Sequence, residues 1–134
     1  MGHYYNGILD NASDTTRQIA TFGGHTEIVE VEEVAVLRRE ISDGDARLRV
    51  AEFREEFDVQ ADCGEDELLR AARTSLALDV LVDTKKLGSL AYDHMGSGCP
   101  ELEDITSSVI PGKSVLTARG CRSLANTRSK MRRQ

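Results

Sequence analysis

The chain has 134 residues, which is enough for one small domain. Apolar residues make up 40% and charged residues 30%, a balance typical of folded globular proteins rather than disordered ones. The net charge of −6 disfavours nucleic acid and anionic membranes as partners, because an acidic chain repels phosphate groups. No apolar run approaches the roughly 20 residues that a membrane-spanning helix needs.

The first residues of the chain and its cysteines indicate where in the cell the protein is located. The first seven residues carry neither a basic patch nor an apolar stretch, so we predict no signal peptide. Cys63, Cys99 and Cys121 are odd in number and have no CxxC spacing, which indicates unpaired thiols in a reducing compartment. We therefore expect a cytoplasmic protein.

The last fifteen residues, Gly120–Gln134, differ from the rest of the chain. No acidic residue follows Asp104, and this segment is basic and without apolar periodicity. One interpretation is a basic arm for nucleic acid. We favour the other, a disordered tail at 120–134, because no aromatic residue is interleaved to stack on bases.

The first half of the chain predicts helices with one strand between them. Ser13 or Asp14 can cap a helix that ends at Gly23-Gly24. The β-branched residues of Thr26–Val31 favour a strand, and a short helix is expected over Glu33–Ile41. The acidic residues Glu27, Glu30, Glu32 and Glu33 are more typical of a solvated strand edge than of a site.

A capping box at Ser42 predicts the next helix. Its buried stripe should consist of Ala46, Val50, Phe53 and Phe57, which recur at steps of four, three and four. The charged residues of this helix should lie largely away from that stripe: Arg47, Arg49, Arg54, Glu55 and Glu56.

The second half predicts a long helix, a strand and a last helix. Apolar residues nearly encircle the helix from Glu65 to about Asp83, which should therefore be packed between other elements. Lys85-Lys86 close this helix and Gly88 ends it. Ser89–Tyr92 predicts a short strand. The last helix begins near Leu102 and is expected to be interrupted at Pro111-Gly112.

This element order predicts an α/β fold, a partial Rossmann-like or flavodoxin-like layer with parallel strands and flanking helices. Only two strands are visible, too few for a self-sufficient sheet. A Gly-bearing loop directly after Met1 is where such a unit would have left its first strand.

Several stretches resemble the central part of the L-arabinose isomerases, in matching order and spacing over nearly all of residues 1 to 120. They are Gly-His-Tyr-Tyr-Asn-Gly-Ile-Leu-Asp at 2–10, Phe-Gly-Gly-His at 22–25, Ala-Ala-Arg-Thr-Ser-Leu-Ala-Leu-Asp at 71–79, Leu-Gly-Ser-Leu-Ala-Tyr at 87–92, Glu-Asp-Ile at 103–105 and Leu-Thr-Ala-Arg-Gly at 116–120. The resemblance implies that residues 1–119 are a partial central α/β domain.

The resemblance also implies a reaction, the metal-dependent conversion of an aldopentose to a ketopentose. In that family a divalent metal, usually Mn²⁺, is held by two glutamates and two histidines and polarises the sugar oxygens. None of these ligands carries over. After Thr117-Ala118-Arg119-Gly120 the family continues with Pro-Val-Ala-Gly-Glu-Tyr, whereas this chain reads Cys-Arg-Ser-Leu-Ala-Asn. We therefore assign no catalytic residue, no metal ligand and no cofactor to this chain.

Four residues are candidates for lining a sugar pocket: Tyr4, Tyr5, Tyr92 and Met95. The resemblance implies that loops after the central-domain strands face the sugar, although simple packing explains these residues about as well. Met95 stands where the family has a glutamate. His3, His25 and His94 show no metal-ligand spacing and are interpreted as loop or surface residues.

The tail suggests a shift of reading frame. A codon set for Cys121 to Arg132 exists that, read one base over, encodes Pro-Val-Ala-Gly-Glu-Tyr, the continuation of the family. We hypothesise that a one-base frameshift after Gly120 produced this tail. The nucleotide sequence of the gene tests the idea, which fails if the shifted frame is closed or encodes unrelated residues.

Two functions from different classes follow. The first is a truncated L-arabinose isomerase-like protein that is inactive by itself, with sugar as substrate only in the full-length family. The alternative is a noncatalytic interaction module that docks on a full-length isomerase paralogue, since an orphan domain exposes apolar patches. A nucleic-acid binder acting through the basic tail is a third, disfavoured interpretation.

Overall fold

The structure is a computed structural model that describes residues 19–21, 23–24, 26–92 and 99–125, and for 122–125 it describes the backbone alone. Within these ranges a helical turn at 19–21 is followed by five longer helices and two strands. They are α1 (Val31–Glu40), α2 (Asp43–Glu56), α3 (Glu65–Lys85), β1 (Ser89–Tyr92), α4 (Pro100–Ser107), α5 (Val109–Ala118) and β2 (Arg122–Ala125).

The prediction of an α/β layer is wrong for the described residues, which are mostly helical. Their strands are limited to β1 and β2, four residues each, which pair in parallel from Ser89 opposite Arg122 to Tyr92 opposite Ala125. The core forms between helices instead of on a Rossmann-like or flavodoxin-like layer. β2 occupies part of the segment predicted to be a disordered tail, and residues 126–134 lie outside the described residues.

The predicted strand at Thr26–Val31 is also wrong. Residues 26–30 form neither helix nor strand, and Val31 begins α1. The β-branched side chains of Val29 and Val31 are nevertheless buried, in a cluster formed mainly by helices. Strand preference depends on a neighbouring strand to pair with, and the described residues offer none to this segment.

The capping prediction at Ser42 is confirmed. Its hydroxyl accepts a hydrogen bond from the backbone N–H of Asp45 at 3.1 Å, and donates to the Asp45 carboxylate at 2.6 Å. A capped first turn fixes where α2 begins, directly after α1 ends. Ala46, Val50 and Phe53 are buried as predicted, whereas Phe57 follows the helix and is exposed.

Helix α3 is the central element and packs against α1, α2 and α5. Its N-terminal half joins a cluster centred on α2, which we call the α2 cluster: Ala46, Val50, Phe53, Leu68, Ala71, Ala72 and Val115. Its C-terminal half joins a second one, the α1 cluster, which includes Val31, Val34, Ala77, Leu78, Leu81, Leu90, Tyr92, Ile105, Val109 and Leu116. The predicted burial on several sides is thus confirmed, although Val80 is exposed.

The helix boundaries depart from expectation at two places. Lys86 adopts the left-handed conformation, with φ of 55°, and ends α3 two residues before Gly88. The break between α4 and α5 falls at Ser108 rather than at Pro111-Gly112. Pro111 is the third residue of α5, where a backbone N–H has no intrahelical acceptor, so proline is tolerated there.

Gly112 allows α5 to approach α3 closely. A Cβ atom built on Gly112 would lie 2.6 Å from Ser75 Cα and 2.9 Å from Ser75 Cβ, closer than side chains tolerate. Both residues are buried. The glycine is therefore required by packing at the helix crossing rather than by its backbone conformation.

We predict that Gly112→Ala lowers the free energy of unfolding by about 1–3 kcal/mol, because the added methyl group forces the two helices apart. Urea denaturation measures the loss. Gly44→Ala is the matched control, since its Cβ would meet only Ser42 Oγ at 3.7 Å, an ordinary contact. Alanine favours the helix there, so this variant should be as stable as the parent or more so. Equal free energies of unfolding for the two variants would contradict the conclusion that packing against Ser75 requires a glycine at position 112.

Candidate functional site

Of the four predicted sugar-side residues, Tyr92 alone lies in the described part of the chain. Tyr4, Tyr5 and Met95 lie outside the described residues. Tyr92 is the last residue of β1, and its side chain belongs to the α1 cluster with only 7% of the residue exposed. Lys113 Nζ lies 4.9 Å from the centroid of the Tyr92 ring, a cation–π contact. Tyr92 thus packs in the core.

A metal site of the kind that the resemblance implies does not fit the described residues. His3, His25 and His94 lie outside them. No group of three or more His, Cys, Asp or Glu side chains in the described ranges could hold a metal ion. Two partly buried carboxylates there, those of Asp79 and Asp104, are each bound by two arginines. A guanidinium repels a cation, so these carboxylates are poor ligands for one.

The acidic run after residue 26 has a structural partner. Lys85 Nζ, at the end of α3, donates a hydrogen bond to Glu27 and lies 3.2 Å from Glu33 Oε2. These contacts with Glu27 and Glu33 raise the pKa of the Lys85 ammonium group above its usual value. Glu27 and Glu33, which were predicted to lie on a solvated strand edge, are therefore both tied to the end of α3 through Lys85.

The most buried charged group among the described residues is Arg49 of α2. Its side chain is 6% exposed, donates to Ser75 Oγ at 2.6 Å and to Asp79 Oδ2 at 2.6 Å, and lies 2.8 Å from Glu52 Oε2. Arg119 completes the network at 3.1 Å from the same Asp79 oxygen. The prediction that Arg49 lies away from the buried face is wrong, because its two terminal nitrogens find hydrogen-bond acceptors on α3 and its charge finds a carboxylate partner there.

The sequence carried a signal for this network. Arg49 stands four residues before Phe53, which places both on one face of α2. Ser75 and Asp79 show the same spacing on α3. A buried arginine needs such a matching pair on the facing helix, and only the structure reveals which helices face each other.

A second network joins α1, α3 and α4 around Asp104. Arg38 NH1 lies 2.5 Å from Asp104 Oδ2, and Arg70 Nε lies 2.5 Å from Asp104 Oδ1. Nearby, Ser108 and Thr74 share a buried hydrogen bond of 2.7 Å between their hydroxyls. These polar contacts fix α4 across the faces of the other two helices.

Two surface cavities formed by described residues are candidate binding sites. The arginine cleft, about 230 Å³, lies between α1, α3 and α4 and is lined by Ala35, Arg38, Arg39, Arg73, Glu101 and Ile105. The apolar groove, about 470 Å³, is lined by Phe53, Phe57, Val59, Gln60, Asp62, Cys63, Leu68, Ile110, Pro111 and Ser114. Neither was foreseen, because each brings together residues far apart in the chain.

The three cysteines are free, as predicted. Cys63 is exposed at the apolar groove, and Cys99 is exposed directly before α4. Cys121 is half-buried, with its thiol 3.9 Å from the Leu87 carbonyl oxygen, and burial raises its pKa. A raised pKa disfavours the thiolate, so Cys121 lacks the character of a nucleophile.

Comparison with known proteins gives no relative: no protein-family model, curated protein or solved structure matches the chain. The similarity to the L-arabinose isomerases thus remains a prediction from the sequence stretches. None of the helices in the described ranges combines the length and apolar character needed to cross a membrane.

We predict that Arg49→Met lowers the free energy of unfolding by about 3 kcal/mol, because it leaves the Asp79 carboxylate and the Ser75 hydroxyl without their buried donor. Arg54→Met is the control, since Arg54 pairs with Glu65 at the exposed surface and should contribute less than about 1 kcal/mol. Urea denaturation of both variants compares them. Similar losses would show that burial does not distinguish the two arginines.

Proposed function

We propose that this chain is an L-arabinose isomerase-like protein that does not catalyse isomerisation by itself. The proposal rests on the six sequence stretches that match the isomerases in order and spacing. The position of Tyr92 supports the second half of it. This candidate sugar-side residue is held in the core by apolar neighbours and by Lys113, so its ring is not presented to a ligand.

The arginine networks support the same proposal. Isomerisation of the family type needs carboxylates that are free to bind a cation or to move a proton. Asp79 is bound by Arg49 and Arg119, and Asp104 by Arg38 and Arg70. These carboxylates hold helices together, which is a structural task.

A second candidate function is docking on a full-length isomerase paralogue, and the apolar groove favours it. Phe57 and Ile110 at this groove are 37% and 58% exposed, whereas Phe53 and Leu68 are buried. A groove with buried and exposed apolar residues side by side gains free energy when a partner covers it. We propose that an apolar segment of the full-length enzyme covers it.

We predict that the purified 134-residue chain forms no ketose from L-arabinose in the presence of Mn²⁺. A colorimetric ketose assay measures this, with a full-length L-arabinose isomerase as the positive control. Product formation that requires Mn²⁺ and scales with the concentration of this chain would contradict the proposal.

We predict that the chain co-elutes with a full-length L-arabinose isomerase in gel filtration and that Ile110→Asp abolishes co-elution. An aspartate in the first turn of α5 is favourable for the helix, so the variant should remain folded, which circular dichroism checks. Leu48→Asp is the matched control, because Leu48 is exposed on α2 and does not line the apolar groove. Loss of co-elution in both variants, or in neither, would contradict docking through the groove.

A further inference from the structure

We propose that the basic segment 126–134 of this chain docks on the apolar groove of the same molecule. The groove has two walls, one formed by residues 53–68 and the other by Ile110, Pro111 and Ser114 of α5. The inference goes beyond the docking proposed above, because it gives the groove an occupant from the chain itself. A partner that uses the groove would have to displace this segment.

The groove offers apolar surface to an occupant on both walls. Phe57 and Ile110 are exposed there, and the rings of Phe53 and Phe57 lie 5.9 Å apart between centroids. The segment 126–134 carries one apolar residue, Met131. A methionine side chain adapts to irregular apolar surfaces and makes favourable sulfur–aromatic contacts, so Met131 is the anchor that suits this groove.

The wall formed by residues 53–68 is strongly acidic. It carries seven exposed carboxylates, and Arg54 is the one basic residue in this range. The carboxylates belong to Glu55, Glu56, Asp58, Asp62, Glu65, Asp66 and Glu67. Arg54 pairs with Glu65, and Arg70 of α3 pairs with Glu67. Among the described residues the other five have no ion-pair partner, so this wall presents uncompensated negative charge beside an apolar surface.

The segment 126–134 has the complementary charge. It contains four basic residues and no acidic one. The basic residues are Arg128, Lys130, Arg132 and Arg133, and two of them flank Met131 directly. Anchoring Met131 in the groove would bring these long side chains within reach of the acidic wall. Each exposed ion pair contributes little, but several of them combined with apolar contact select this occupant over a neutral or acidic one.

The described chain ends close enough for the segment to reach the groove. Ala125, the last residue of β2, is paired with Tyr92, and paired strands lie about 4.8 Å apart. The Tyr92 ring contacts Lys113, which directly precedes the groove residue Ser114. Nine extended residues span about 30 Å, whereas a helix with its side chains is about 10–12 Å across. The segment can therefore pass around α5, and its attachment to the same molecule gives it a high effective concentration.

The first test measures how fast N-ethylmaleimide, an uncharged reagent, labels Cys63. This thiol is exposed and lines the groove, whereas Cys99 is exposed elsewhere and serves as the reference within each molecule. We expect Met131→Gln to speed labelling of Cys63 several-fold, because the anchor is lost, and to leave Cys99 unchanged. Peptide mass spectrometry follows both thiols, and circular dichroism checks that the variants are folded.

Ser129→Gln is the matched control, because it introduces the same side chain into the same segment and retains Met131. We expect it to change the labelling rate of Cys63 less than twofold. The proposal is overturned if Met131→Gln labels Cys63 at the rate of the parent chain. It is also overturned if Ser129→Gln accelerates labelling as much as Met131→Gln does.

A second test locates the segment by zero-length cross-linking with a carbodiimide, which joins an amine to a carboxylate as an amide. Lys130 is the one lysine in 126–134. We expect Lys130 to be joined to carboxylates of residues 55–67 within one molecule. Mixing the chain with a nitrogen-15-labelled copy separates the alternatives. Bonds from Lys130 mainly to carboxylates outside this range, or between chains of different label, would overturn docking within the same molecule.

Discussion

The close crossing of α3 and α5 is the constraint on which the other contacts depend. A Cβ atom on Gly112 would lie 2.6 Å from Ser75 Cα, so the backbones of the two helices approach each other closely at this point. This close approach lets α5 contribute to both apolar clusters. Val109 and Leu116 belong to the α1 cluster, and Val115 belongs to the α2 cluster. The hydroxyl of the same Ser75 accepts from Arg49, so one residue serves both the crossing and the buried polar network.

Three arginines connect pairs of helices through ion pairs. Arg49 links α2 to α3, Arg38 links α1 to α4, and Arg70 links α3 to α4. A planar guanidinium has directional donors, so each of these contacts fixes an orientation as well as a distance. The same contacts pair the carboxylates of Asp79 and Asp104 with two guanidinium groups each.

Local signals were predictable from the sequence and pairing partners were not. The Ser42 cap and the α3 burial pattern depend on neighbouring residues, and both were predicted correctly. The β1 strand was also predicted correctly, and it has a distant partner in β2. The strand predicted at Thr26–Val31 failed because strands require a distant partner, and Arg49 was misplaced because its partners lie 26 and 30 residues away. Both cavities likewise arise from helices that meet in space, and Tyr92 could be read as pocket or core until its neighbours were known.

The division of the core into two clusters has a consequence for how the protein opens. Each cluster has its own main helix, α2 or α1, and the two share α3 and α5 as a common spine. When such a core loses one cluster, the spine can keep the other half assembled, so breathing of the α2 side need not disturb β1 or α4. The apolar groove lies on the α2 side, and the arginine cleft lies mainly between α1 and α4. The apolar groove therefore depends on the α2 side alone, whereas the arginine cleft depends on both sides, because Arg73 is held by Ile41 and by Asp43 at the start of α2.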